Sequence, residues 1–332
     1  MSDPETSSED GLTVAVTGPT GTFGSALVPL LQDEERVQRV VGVARSGFDP
    51  ASRGWTKMTY RRGDVRRPDD LQAAFGGADV VVHLAFLIVG SDAPTTRAVN
   101  VEGTLHAFRA AAAAGARRFV YASSVAAYGF HPDNPLGITE EWPVRPADRL
   151  FYAQEKAELE RLLEEEAHEA PDMAVYLLRP PIVLGPHAVG GKLALPAWAG
   201  RAVRLAPRRL PPVPIPVPDL PLQVIHEDDV ASALLRCVLG QGPPGAYNVA
   251  ADETLTVADV VGLLGGRPVA LPAGPAHALA RVAARLPGLP QPAQWVEALA
   301  HPAIMDTTKA RVELGWQPRV GAREAVLETV RG

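Results

Sequence analysis

Tyr152 and Lys156 stand four positions apart in Tyr152-Ala153-Gln154-Glu155-Lys156, and they are the pair whose types and spacing most directly suggest chemistry. On a helix, positions i and i+4 share one face, so a phenol and an ammonium can converge on one spot. A nearby cation favours phenolate over phenol and draws a tyrosine down from its reference value of about 10, towards working pH. Tyr152 would then serve as general acid and base. With 6 tyrosines and only four lysines in 332 residues, chance supplies roughly 0.07 such pairs. Ser124 precedes Tyr152 by 28 residues. At the end of a predicted strand, its hydroxyl can donate a hydrogen bond to a substrate oxygen as charge develops there.

A second chemistry-bearing stretch is Val14-Ala15-Val16-Thr17-Gly18-Pro19-Thr20-Gly21-Thr22-Phe23-Gly24. Leu12 to Val16 is a short apolar, β-rich run and Ser25 to Leu31 reads as a helix, so the glycines fall where a strand turns sharply into a helix. Glycine at 18 permits the turn, at 21 lets the backbone approach a pyrophosphate, and at 24 lets the helix pack closely on the strand. The helix start, with Thr22 and Phe23, supplies N–H groups and partial positive charge to an anion.

The elements that must position these groups alternate along the chain. Arg39 to Val43 is a second β-rich run ending at Ala44-Arg45-Ser46, about 20 residues past the glycines. An acidic residue there would bind the adenosine ribose hydroxyls of NAD, whereas alanine followed by arginine leaves room and charge for a 2′-phosphate, so the spacing favours NADP over NAD. Met58 to Arg62 is a third strand leading into Gly63-Asp64-Val65, followed by a helix from Pro68 to Phe75. Asp79 to Leu84 is a buried fourth strand, and its His83, inside an apolar run, reads as a packed, hydrogen-bonded residue with no chemistry. Pro94 to Ala114 is a long helix stopped at Gly115, and Arg118 to Ser123 is the fifth strand. Ala174 to Leu178 is the sixth. Strands buried on both faces and alternating with helices predict an α/β fold, a doubly wound parallel sheet of Rossmann type.

Composition narrows the function classes. A net charge of −6 leaves no sequence-wide basic footprint for nucleic acid. The one cysteine, Cys237, excludes intrachain disulfides and four-cysteine zinc sites, and it lies in an apolar helical stretch that reads as core. No metal site is expected. The apolar run from Val80 to Val89 is far shorter than the roughly 20 residues that span a bilayer. Residues 1–11 read as a disordered acidic leader without a signal-peptide pattern, so the expected location is the cytoplasm.

Taken together, the motifs resemble the extended short-chain dehydrogenases/reductases, the NAD(P)-dependent epimerase/dehydratase group, from about Thr13 to Val330. The resemblance rests on Thr17-Gly18-x-x-Gly21-x-x-Gly24, Asp64-Val65, His83-Leu84-Ala85, Asn100-Val101-x-Gly103-Thr104, Ser123-Ser124, Tyr152-x-x-x-Lys156 and Leu178-Arg179-Pro180. Later matches are Ile225-His226-x-Asp228-Asp229-Val230-Ala231, Tyr247-Asn248-Val249 and Leu314-Gly315-Trp316-x-Pro318. It implies a nicotinamide cofactor across the sheet edge, with Asp64 and Val65 near the adenine and Leu84, Ala85 and Phe86 near the phosphates and ribose. It also implies that Tyr152 moves the proton, Lys156 holds the nicotinamide ribose, Ser124 holds the substrate oxygen, and Pro180 with Pro181 borders the nicotinamide. A homodimer is a further family expectation.

Residues 12–185 would form the dinucleotide-binding core, and residues 186–332 mostly a substrate lobe and lid, with elements returning to the core. The proline-rich stretch from Pro196 to Pro221 favours extended loop and reads as the lid. Helices are expected at Asp228 to Leu239, Val257 to Leu264, Ala276 to Leu286 and Thr307 to Leu314. Nucleotide-sugar members of the family carry an asparagine where this chain has Ile182 and an arginine where it has Leu222; Val125 and Ala126 replace the acidic pair of the dehydratases. Those departures favour a ketone-reducing oxidoreductase acting on a small, fairly apolar substrate, with Ile182 among the substrate contacts. A nucleotide-sugar epimerase with tightly held NAD is the enzyme alternative, and a non-catalytic dinucleotide sensor is the other.

Overall fold

The computed structural model describes residues 11–88, 92–147, 150–188, 214–271 and 301–331. Seven strands form the central sheet: β1 Leu12–Thr17, β2 Val37–Ala44, β3 Met58–Arg62, β4 Val80–His83, β5 Arg118–Ala122, β6 Ala174–Arg179 and β7 Gly245–Asn248. Their order is β7-β6-β5-β4-β1-β2-β3 and every pairing is parallel. Val14, Val16, Val80, Val81 and Val82 are wholly buried, because helices cover both faces and leave no solvent side for a polar alternate.

The helices that matter for the site are α1 Thr22–Asp33, α2 Pro68–Phe75, α3 Ala93–Arg97, α4 Gly103–Ala113, α5 Phe151–Glu169 and α6 Glu227–Val238. A π turn, Ala98–Glu102, joins α3 to α4, so the long helix expected from the sequence is interrupted at its Asn-Val-x-Gly motif. One core cluster gathers Leu27, Leu31, Leu234, Val238 and Trp316 on the α1 and α6 side, and a second gathers Leu71, Phe75, Phe108, Leu159 and Leu163 under α2, α4 and α5. The strand order reverses between β4 and β1, and it is at such a switch point, beyond the carboxyl ends of the strands, that doubly wound sheets bind ligands.

β7 brings residues 245–248 back into the sheet, from a segment the sequence marked only by Tyr247-Asn248-Val249. Two late motifs clasp each other close by. The Asp229 carboxylate accepts the backbone N–H groups of Arg319 (2.8 Å) and Val320 (3.0 Å), while the indole of Trp316 donates to the Asp229 carbonyl at 3.0 Å. Their role is to fasten the C-terminal segment. Cys237 is 0% exposed in this core, and burial pushes its thiol up to about 12. Of the proline-rich stretch, Pro214–Pro218 is a short strand parallel to Arg267–Leu271; Pro196 to Val213 and the helix expected at Ala276 to Leu286 lie outside the described residues. A C-terminal helix, Ala322–Arg331, was not foreseen.

Candidate active site

The glycine turn sits at the carboxyl end of β1. Gly18 has φ +69°, and a Cβ there would meet the Ala85 backbone nitrogen at 3.2 Å. A Cβ on Gly24 would lie 2.4 Å from the Gly18 carbonyl oxygen and 2.5 Å from the Pro19 carbonyl carbon. The turn therefore keeps its depth only with glycine at both places. Gly21 stands extended before α1 with no side-chain cap, and the helix opens with Thr22 and Phe23 towards the turn. This is a cradle in which a dinucleotide phosphate fits.

Thr17 ties the cradle to the next strand end. Its hydroxyl accepts the N–H groups of Leu84 (3.1 Å) and Ala85 (3.2 Å) and stands 3.0 Å from Nδ1 of His83. Thr104, which donates to the Asn100 carbonyl at 2.5 Å, stands 3.1 Å from Nε2. With each threonine donor and acceptor so committed, the network assigns His83 the neutral Nε2–H form. Burial holds its pKa down at about 3, as fits a packed residue. Asn100 then grips the backbone of Leu87 twice, accepting its N–H at 2.7 Å and donating to its carbonyl at 2.8 Å, and donates to the buried Glu155 carboxylate at 2.7 Å. The strand end Leu84 to Leu87 is thus fixed from both sides. Asn100 lay in a recognisable motif, but nothing in its spacing disclosed this grip.

Ser124, Tyr152 and Lys156 come together at the carboxyl end of β5. The Ser124 oxygen accepts the Ala126 N–H at 3.2 Å, which leaves its proton for the hydrogen bond it shares with the Tyr152 phenol. Lys156, 3% exposed, donates to the Tyr121 hydroxyl at 2.9 Å and the Ala122 carbonyl at 2.6 Å. Its ammonium also lies 3.7 Å from the centroid of Phe86, and Phe86 meets Tyr152 edge-on at 5.6 Å. The expectation that the lysine lowers the tyrosine needs correction. Burial is the largest influence on Tyr152 and raises it; only the Ser124 hydrogen bond works the other way. The ammonium lies 5.8 Å from the Tyr152 ring centre and donates to Tyr121 and Ala122.

Beneath this site lies a buried ion pair. Glu160 and Arg179 are each 5% exposed. The carboxylate accepts from Arg179 through Nε at 2.9 Å and Nη2 at 2.5 Å, and from the Ser123 hydroxyl. Arg179 Nη1 donates to Tyr128 at 2.5 Å, and Tyr128 donates to Asn248 on β7 at 2.9 Å. Burial works against the Arg179 cation, yet Glu160 and Tyr128 outweigh it and hold the guanidinium above its ordinary range. Sequence reading missed Glu160. Its position, eight residues past Tyr152 and four past Lys156, was the available signal.

The adenine end is less concentrated. Arg66 captures Asp64 in a fork, with Nη2 at 2.5 Å and Nε at 3.0 Å, and this hydrogen bonding holds the carboxyl below its usual range. Val65 is buried against Gly103, where a Cβ would meet its Cγ2 at 2.6 Å. Side chains on β3 hold three successive carbonyls at the end of β2: Tyr60 donates to Ala44 (3.3 Å) and Ser46, and Arg62 to Arg45 (2.9 Å). Arg45 itself is exposed. Pro180 and Pro181 are buried beside Ser124, whose neighbour Val125 donates its N–H to the Pro180 carbonyl at 3.0 Å; Ile182 is 53% exposed.

A sequence model of the NAD dependent epimerase/dehydratase family matches residues 14–250. The chain belongs to that family. The fold and the order of its motifs are those of the extended short-chain dehydrogenases/reductases. An uncharacterized protein of Mycobacterium tuberculosis is 29% identical to this family member over 335 residues, covering 96% of this chain and 83% of the relative. Among solved structures, UDP-glucose 4-epimerase of Thermotoga maritima with UDP-glucose superposes with a TM-score of 0.74 at 21% identity, covering 96% of this chain and 98% of that one. UDP-glucose 4-epimerase of Thermus thermophilus with NAD gives 0.69 at 24% identity, covering 96% and 98%. At those identities the likeness is one of fold. Among the described residues no helix is long and apolar enough to cross a membrane.

Proposed function

We propose that this family member is an NADP-preferring oxidoreductase that interconverts an alcohol and a ketone on a small, fairly apolar substrate. The observation that carries the reading is the Ser124–Tyr152 hydrogen bond; Ile182, exposed and apolar two residues past Pro180, supports the apolar substrate. Gly18, Gly21, Thr22, Phe23 and Gly24 would hold the diphosphate, Leu84, Ala85 and Phe86 the ribose side, Asp64 and Val65 the adenine, and Pro180 with Pro181 the nicotinamide. When bound, the nicotinamide supplies or accepts the hydride at the carbinol carbon. In the reducing direction Tyr152 gives its phenol proton to the substrate oxygen, while the Ser124 hydroxyl holds that oxygen. Lys156 would hold the nicotinamide ribose, and the Ser124 hydroxyl would stabilise the phenolate left behind. Arg45 supports the NADP preference: its backbone is fixed by Arg62 while its guanidinium has no hydrogen-bond partner among the described residues, as a 2′-phosphate contact requires.

A second reading, a nucleotide-sugar epimerase keeping NAD bound, draws support from the fold neighbours solved with UDP-glucose and with NAD. Titration with NADPH, NADH and uridine diphosphate, followed by nicotinamide fluorescence and calorimetry, separates the two. Tighter NADPH than NADH binding and no uridine diphosphate affinity are the results expected. NAD carried through purification together with uridine diphosphate binding would replace the first reading by the second.

A further inference from the structure

We propose that Arg179 is a positioning residue: by neutralising Glu160 it keeps the ammonium of Lys156 committed to the carboxyl end of β5. The inference rests on the reading of Lys156 as the group that holds the cofactor ribose.

Tyr152, Lys156 and Glu160 recur every four residues on α5, so they share one helix face. Lys156 is 3% exposed and Glu160 5%. Two opposite charges one turn apart on a buried face attract strongly, since little solvent screens them. Yet the helix needs them to do different things. Lys156 points to the site through Tyr121, Ala122 and the Phe86 ring, whereas both oxygens of Glu160 are filled by Arg179 and the Ser123 hydroxyl. The fork from Arg179 reaches Oε1 at 2.9 Å and Oε2 at 2.5 Å and 3.2 Å, satisfying the carboxylate geometrically as well as electrically.

Without Arg179, Glu160 would be a buried carboxylate with the Ser123 hydroxyl as its remaining donor, and the cation one turn back on its own face is Lys156. Drawing Lys156 down by that turn takes it from Ala122 and Phe86, and so from the ribose. Without Glu160, by contrast, the carboxylate one turn on is gone, and the remaining neighbour, Glu155, is held by the Asn100 amide at 2.7 Å. The two halves of the pair are therefore unequal for the site, even though they are equal partners in the ion pair. A brace that merely joins α5 to β6 would make them equivalent.

The test uses the full chain and NADPH itself as probe, with affinity read by nicotinamide fluorescence and folding by circular dichroism melting. Arg179→Met should weaken NADPH binding about tenfold, the worth of one charge-assisted contact. Glu160→Gln should stay within about twofold of the parent, and Glu160→Gln/Arg179→Met should regain that affinity. Arg179→Lys keeps the charge and loses the fork, so it too should stay within about threefold. If Arg179→Met does not fold, the double variant and Arg179→Lys decide: parental affinity in both supports the proposal and a loss in either overturns it. Equal losses for Glu160→Gln and Arg179→Met, or parental affinity in Arg179→Met, also overturn it. Lys156→Met separates this proposal from the reading beneath it: unchanged NADPH affinity there sinks both, while a loss there with none in Arg179→Met sinks the Arg179 proposal alone.

Discussion

The hydroxyl of Ser124 and the phenol of Tyr152 share one hydrogen bond, and the Ala126 N–H at 3.2 Å occupies the serine oxygen from the other side. The serine proton is thereby aimed at the phenol oxygen, the point where the proposed reaction would bring a substrate oxygen. Replacing Tyr152 by Phe removes the proton donor and leaves the ring against Phe86. Turnover of NADPH with aryl ketones should fall about 1000-fold, while NADPH affinity stays near that of the parent. Turnover that survives the change would falsify the proton-transfer role.

Gly24→Ala places a methyl carbon 2.4 Å from the Gly18 oxygen and 2.5 Å from the Pro19 carbonyl carbon. Both are backbone atoms, so the turn must move. NADPH and NADH should both bind at least about tenfold more weakly, because the cradle and not the adenine end is deformed. A variant that loses one cofactor and keeps the other would show that the glycine has a different job.

Arg45→Ala tests the other end of the dinucleotide. The loop backbone stays held by Tyr60 and Arg62, so only a side-chain charge is removed. NADPH affinity should drop about tenfold with NADH affinity unchanged, as expected for loss of one phosphate contact. Parallel losses for the two cofactors, measured by fluorescence titration, would count against a 2′-phosphate at Arg45.

His83 makes the fold acid-sensitive. Burial lowers its pKa from 6.5 to about 3, so the unfolded chain binds a proton that the folded chain refuses. Stability from this group is complete above about pH 6.5 and is lost as pH falls towards about 3. Between pH 7 and pH 5 the loss amounts to about 2 kcal/mol. His83→Gln, compared with the parent by urea unfolding at both pH values, should reduce the difference by about that amount; an unchanged difference refutes the assignment.

Much of the architecture was legible because the signals were local. Largely apolar runs of five or six residues marked β1, β2, β4, β5 and β6, β3 was placed by its position before Gly63-Asp64-Val65, and glycines at 18, 21 and 24 marked the turn between β1 and α1. β7 escaped because it has four residues, begins with Gly245 and follows a Pro-Pro pair; its place depends on pairing with β6. Ser124, Tyr152 and Lys156, which the structure brings together, were marked by strand-end position and helical spacing. Their true neighbours were not. Tyr121 holds Lys156 from 35 positions away, Glu160 meets Arg179 across 19, and Tyr128 meets Asn248 across 120. Such pairings are set by strand order, which no local pattern encodes. The direction of the Tyr152 shift was misjudged for the same reason: charge proximity was visible in the spacing, burial was not.

The packing of Cys237 gives the chain a practical property. As the sole thiol, 0% exposed and with its ionisation pushed up to about 12, it should stay silent towards maleimides and iodoacetamides at neutral pH. A cysteine introduced at an exposed position, such as Arg66→Cys near the adenine end, can then be labelled alone in the otherwise native chain. Pairs of such labels would report, by energy transfer and without first engineering the background, whether the two ends of the molecule approach when a dinucleotide is added.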